Sequence, residues 1–271
     1  MTEKTIIAQT EQSEGLFSRC LVLGGVFLLS LLLRLFCWYM EPTLSRDAVA
    51  YAEITSAWFS EGDFSGVLRY WPDCWIPPLP VGLVLLLVKC GLSVEVAGIG
   101  LNLALGSLIP LVVYRMAKTV TGDRSLALGA ALLAAVHPTL IELSIEIQRD
   151  TTYLFLIGCV LCFLLEAVRK GSSLFWGVGG IFLGLSILSR FESLEFLPLT
   201  FCYLAGSVCF KIQNCRMALK QFAIFSGGVL SAFFLASWFM GVPFSYCKIY
   251  SDKVVKMVSQ VCPVEKPEQV R

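Results

Sequence analysis

Apolar runs that are hydrophobic on every face, joined by short polar turns, constrain this chain more than anything else in it. A helix crossing the hydrocarbon core of a bilayer needs about 20 mostly apolar residues. The run 20–40 supplies them, with a single charge, Arg34, near its far end. Further apolar runs cover 97–114, 126–140, 151–165, 175–188, 196–210 and 222–240. Soluble core helices keep a polar face; these do not. Only 15% of the 271 residues are charged and 56% are hydrophobic, against about 25% charged in a soluble domain. The short alternating segments of a transmembrane barrel are absent. The fold class that follows is an all-α polytopic membrane protein with about seven transmembrane helices.

Between the first two long runs lies a polar interval, 41–96. Within it, 48–59 has a helical pattern, with Ala48, Ala52 and Trp58 or Phe59 on the apolar side, as in a helix lying at the interface. The apolar run 81–88 that follows Pro77, Pro78 and Pro80 is too short to cross and reads as a juxtamembrane helix. Basic residues set the expected orientation. Arg115, Lys118 and Arg124, then Arg169 and Lys170, then Lys211, Arg216 and Lys220 form positive turns, as cytoplasmic turns do. The expected layout is a cytoplasmic tail 1–19, a membrane module 20–240 with its first outer loop at 41–96, and an outer tail 241–271, the chain reading as an N-terminal module, a fragment or a degenerate copy.

Composition also excludes partners. A net charge of +1 with no basic stripe gives no footprint for nucleic acid. Cys159 and Cys162 sit in an apolar run and read as packing residues; Cys247 and Cys262 pair only if their segment faces an oxidising compartment. Trp58, Trp71 and Trp75 fit an aromatic belt at the interface. Asn102 and Pro110 read as packing and kink features of the second span, and His137, the only histidine, as a polar helix end before Pro138.

On this layout three ionisable clusters fall at span ends on the outer side: Arg46-Asp47, Arg149-Asp150, and Arg190 with Glu192. Charges at membrane depth are costly unless paired or hydrated. Singly, each reads as a salt bridge capping a helix; together, on one face, they point to a shared wet cavity. Arg34 either snorkels or faces the protein interior.

The pattern resembles the GT-C glycosyltransferases of the dolichyl-phosphate-mannose–protein mannosyltransferase type (glycosyltransferase family 39-like), which include the lipid A aminoarabinose transferases. The residues that carry the resemblance are SRDAVAYAE at 45–53, with Asp47, Tyr51 and Ala52; the Gly62-Asp63 turn; Pro77-Pro78-Leu79; HPTLIELSIEIQRD at 137–150; and Arg190-Phe191-Glu192. Members are typically longer, with further spans, and carry a basic residue or histidine where this chain has Ile76.

The resemblance implies transfer of a sugar from a polyprenyl-phosphate donor to a hydroxyl of a protein, lipid or glycan on the non-cytoplasmic side, by inversion. Asp47 is the candidate general base. Arg149 and Arg190, with Arg46 behind them, are candidates for the leaving phosphate. Asp150 either orients an arginine or the acceptor, or shares a cation with Asp47. No obligatory metal is the first reading, with Mg²⁺ or Mn²⁺ the second. Tyr51 is a candidate to stack on a sugar, with an interfacial tyrosine as the other reading, and Glu192 is a candidate to bind substrate. The partners are the lipid-linked donor, the acceptor and membrane lipids, and a bacterial inner membrane suits the Arg-x-Glu variant. Two rivals stand beside this reading: a lipid-sugar transporter or flippase, and a non-catalytic membrane partner. Transporters tend to carry repeats and midplane charges, and neither is visible here.

Overall fold

The computed structural model describes residues 3–40, 42, 45–70 and 77–242. Among them there are helices and turns and no strand. Trp71, Trp75, Cys247, Cys262 and nearly all of the tail 241–271 lie outside the described residues.

Helix α1 (Glu3–Met40) carries the first apolar run, Cys20–Met40. Two short helices, α2 (Arg46–Glu61) and α3 (Phe64–Tyr70), and the apolar α4 (Pro78–Lys89) fill the following interval. Helix α5 (Val94–Thr121) is the second long span, and α6 (Arg124–Val136) and α7 (Pro138–Glu142) come next. Then come α8 (Arg149–Lys170), α9 (Ser173–Ser189), a 3₁₀ turn (Phe191–Glu195), α10 (Phe196–Cys209) and α11 (Cys215–Phe239). Four of these segments are long and apolar enough to cross a membrane: Cys20–Met40, α5, α8 and α11. The runs expected as the third, fifth and sixth spans form helices of 13, 17 and 14 residues. The third is short for a local reason. Pro138 has no N–H and restricts the residue before it, so His137 is extended (φ −66°, ψ 120°) and the run divides into α6 and α7.

Capping chemistry fixes the helix starts. Ser45 accepts from the Ala48 amide at 3.2 Å, and Asp123 from those of Ser125 and Leu126 at 2.6 and 3.1 Å. Each satisfies donors that a first turn leaves open. The Gly62-Asp63 turn has the same logic. Gly62, at φ +82°, closes α2, and Asp63 accepts from the Gly66 amide at 2.7 Å to open α3.

Packing fixes the direction of the helices. Early in α5, Asn102 meets the segment just ahead of α8; late in α5, Arg115 meets Glu166 late in α8. The two helices are therefore parallel. Arg34, late in α1, reaches the carbonyls of Ala135 at the end of α6 and Leu140 in α7, at 3.3 and 3.4 Å. Fully buried, it faces the protein interior rather than snorkelling. One end of the bundle thus gathers the last turn of α1, the α6–α7 break and the first turn of α8. The other gathers Arg115, Lys118, Arg124, Arg169 and Lys170.

Helices α9 and α11 touch through their backbones. A Cβ on Gly180 would stand 2.1 Å from the Phe225 carbonyl oxygen, and one on Gly184 2.4 Å from that of Val229. Small residues allow this approach, which supplies dispersion and close packing where lipid offers no hydrophobic drive.

The apolar face of α2 differs from the expected one. Ala48, Tyr51, Ile54, Thr55 and Trp58 are buried, whereas Phe59 is 53% exposed. Trp58 belongs to a core, not an interfacial belt: it is 3% exposed, and its ring meets Phe64 edge-on at 4.8 Å. That core joins α2 and α4 to α5 through Val81, Leu85, Ile99, Leu103 and Ile147. The short helices are thereby fixed against a membrane span, which positions the first turn of α2.

Candidate active site

Arg46 and Asp47 form the first turn of α2, just after the Ser45 cap. Both are exposed, and Asp47 takes part in no ion pair among the described residues. A carboxylate there is favoured by the partial positive charge of the helix start, so its position costs the fold little. One turn on, Tyr51 points inward and is 4% exposed. A ring so covered offers no face for stacking on a sugar; what remains to it is the hydroxyl.

That hydroxyl is buried; no acceptor for its O–H lies among the described residues, and the backbone N–H of Arg149 is directed at its oxygen. Burial pushes the phenol far above its ordinary value. The charge of Arg149 opposes the shift, and those of Asp150 and Asp47 add to it. Residues from two distant segments thus share one neighbourhood around Tyr51: Asp47 on α2, and Arg149 and Asp150 at the start of α8.

Arg149-Asp150 repeats the arrangement of Arg46-Asp47, an arginine then an aspartate in a first turn. Here the turn has no side-chain cap; Gln148 is extended and turns its amide to the Leu143 carbonyl at 3.1 Å. Thr151 donates to the same carbonyl at 2.6 Å. Arg190, at the C-terminal end of α9, forms an ion pair with Asp150 and reaches Glu192 at 3.4 Å. Its guanidinium also lies over the Tyr153 ring, 5.3 Å from the centroid. The turn that aims it is tied internally by the buried Ser186 and Ser193 hydroxyls, 2.7 Å apart. Arg190 is 33% exposed, Asp150 26% and Glu192 42%, so the cluster is open to water. Beside it, an open cleft of about 430 Å³ runs along α2, lined by Val49, Ala52, Glu53, Ser56, Glu95 and Ile147.

The structure therefore draws together Asp47, Tyr51, Arg149 and Asp150 electrostatically, and Asp150, Arg190 and Glu192 by ion pairing. Arg46 stands at the exposed rim. Among the described residues no three His, Cys, Asp or Glu side chains gather as a metal-ligand set. Two carboxylates, one already paired with Arg190, are few ligands for Mg²⁺ or Mn²⁺ unless water and substrate oxygens complete the shell.

Sequence reasoning missed the supports of this site. Asn102, read as a packing residue, is 2% exposed and donates to the carbonyls of Glu146 and Gln148. Ser189 donates to the Arg149 carbonyl at 3.4 Å, tying the end of α9 to the start of α8. The available signal was the cost of a polar side chain inside an apolar run, which requires a partner.

Comparison with known proteins adds the chemistry. No curated protein matches this chain. The profile of the dolichyl-phosphate-mannose-protein mannosyltransferase family matches residues 77–240, more than half of the chain. The matched part holds Arg149, Asp150, Arg190 and Glu192; Arg46, Asp47 and Tyr51 precede it on α2, whose buried face packs against α4 and α5. The apolar spans and the profile together make this a membrane protein of the glycosyltransferase class, and the chain belongs to the dolichyl-phosphate-mannose-protein mannosyltransferase family.

Proposed function

We propose that this protein transfers a sugar from a polyprenyl-phosphate donor to a hydroxyl acceptor at the non-cytoplasmic surface of a bacterial inner membrane, with Asp47 as general base. The observation that carries this reading is the clustering of Asp47, Arg149 and Asp150 around the buried Tyr51 hydroxyl, with Arg190 bound to Asp150. On this reading the end bearing Asp47 and Asp150 faces outward and the basic end faces the cytoplasm, in keeping with the positive turns.

Inversion at the anomeric carbon needs an acceptor oxygen on one face of the sugar and the phosphate on the other. Asp47, exposed and unpaired, takes the acceptor O–H proton. The acceptor oxygen forms its bond to the anomeric carbon as the bond from that carbon to the phosphate oxygen breaks. The electron pair leaves with the phosphate. Arg190 and Arg149, with Arg46 at the rim, meet the charge that develops there through forked N–H donors. Asp150 and Glu192 hold Arg190 in place. No step here runs through a cation.

The test is an assay of the purified protein in bilayers against a panel of polyprenyl-phosphate sugars, with hydroxyl acceptors of protein, lipid and glycan type. Formation of an inverted glycoside from one donor is the expected result. Movement of the donor across the bilayer without transfer would overturn it in favour of a transporter, and neither outcome in favour of a non-catalytic partner.

A further inference from the structure

We infer that Asn102 is a positioning residue for the proposed transfer: from inside α5 it holds the segment that delivers Arg149 and Asp150 to the site. The inference rests on the reading of the site given above.

An asparagine amide nitrogen carries two N–H donors. Asn102 spends both on one strip of backbone, the carbonyls of Glu146 and Gln148, the latter at 3.0 Å. The Glu146 carbonyl lies ahead of α8, and that of Gln148 belongs to the N-cap, which already accepts the first bond of the helix, so the amide adds a second donor there. The same strip is gripped from its other side, where Thr151 and Gln148 donate to Leu143. Ile147, between the two carbonyls, packs into the α2–α5 core and lies against Gly98, where an added Cβ would come 2.8 Å from its side chain. Residues 146–148 are thus fixed by two donors, one apolar anchor and a close backbone approach, all from α5. Arg149 and Asp150 are the next two residues. Without the amide, the fixed point nearest to Asp150 on this side is lost while the ion pair to Arg190 persists, so the pair shifts together relative to Asp47 on α2.

A displacement of about 1 Å in a reacting constellation costs on the order of 10²-fold in rate. Asn102→Leu, which keeps the approximate shape and loses both donors, is expected to lower kcat about 10–100-fold. Asn102→Asp serves as a second variant should the leucine form not fold. Each is measured alone and combined with Asp150→Asn. If Asn102 works by placing Asp150, its replacement adds less than about 3-fold to the loss already caused by Asp150→Asn. An equal loss in both backgrounds would overturn the inference, because a general weakening of the fold acts alike in each. Hydrogen exchange supplies a readout independent of activity. Backbone amides of 143–148 are expected to exchange at least about 10-fold faster in the variant while those in the middle of α8 do not change. Unchanged exchange at 143–148 would also overturn it. Should the wild type transfer no sugar, the reading of the site falls, and exchange at 143–148 alone decides whether Asn102 holds the segment.

Discussion

The two ends of the bundle both carry buried or half-buried ion pairs, and they are built differently. At the basic end Glu166 is closed in. Its side chain is 3% exposed and both oxygens are engaged, by Arg115 at 2.7 Å, Thr119 at 2.9 Å and Lys170 at 2.9 Å. At the other end Asp150 is 26% exposed and shares Arg190 with Glu192, Asp47 is exposed with no ion pair among the described residues, and the buried Tyr51 O–H finds no acceptor among them. A satisfied cluster ties helices together; an unsatisfied one keeps hydrogen-bonding capacity that a substrate can use. On the function proposed above, one end serves structure and the other chemistry, and each substitution below is chosen to break or sharpen that contrast.

Asp47→Asn has the largest expected effect: transfer falls by about 10²–10⁴-fold, the range for loss of a general base. Arg190→Ala comes next. It removes the partner of Asp150 and a charged donor, and kcat/KM for the lipid-linked donor drops about 10–100-fold. Donor titration checks this, and an unchanged donor KM would make Arg190 an interface anchor. Gly180→Ala tests the packing of α9 on α11. A methyl cannot fit 2.1 Å from the Phe225 carbonyl, so stability falls by about 1–3 kcal/mol, read as thermal unfolding in detergent.

Glu166→Gln leaves Arg115 and Lys170, 51% and 41% exposed, free to hydrate. The cost is therefore only about 1 kcal/mol, with transfer per folded molecule retained. The smallest effect on stability belongs to Tyr51→Phe. The deleted hydroxyl gives its proton to no acceptor among the described residues and faces only the Arg149 amide, so unfolding stays within about 1 kcal/mol of the wild type. Marked destabilisation would mean that the hydroxyl is already satisfied.

The membrane class was legible because apolar runs admit few alternatives, and the arginine–aspartate pairs because charge at a span end is costly without a purpose. The face of α2 was not legible. Tyr51 and Trp58 are amphipathic side chains that suit an interface as well as a core, and only the packing of α4 and α5 against them decides. Pro138 divides the third run into α6 and α7, and α6 still leads from the basic end of the bundle to the other. Asn102 was out of reach for another reason: its partners are carbonyls 44 and 46 residues away, and backbone acceptors leave no mark on side-chain periodicity. Arg34 was visible as an oddity, but its choice between lipid surface and interior rests on carbonyls more than 100 residues distant.

Asp47→Asn and Glu166→Gln, measured side by side for sugar transfer and for thermal unfolding, test the division between the two ends most directly. The predicted result is a crossing. The asparagine variant unfolds within about 1 °C of the wild type and loses transfer, and the glutamine variant unfolds about 2–4 °C earlier and transfers normally per folded molecule. Transfer at the wild-type rate by Asp47→Asn, or equal loss of transfer in both variants, would contradict it.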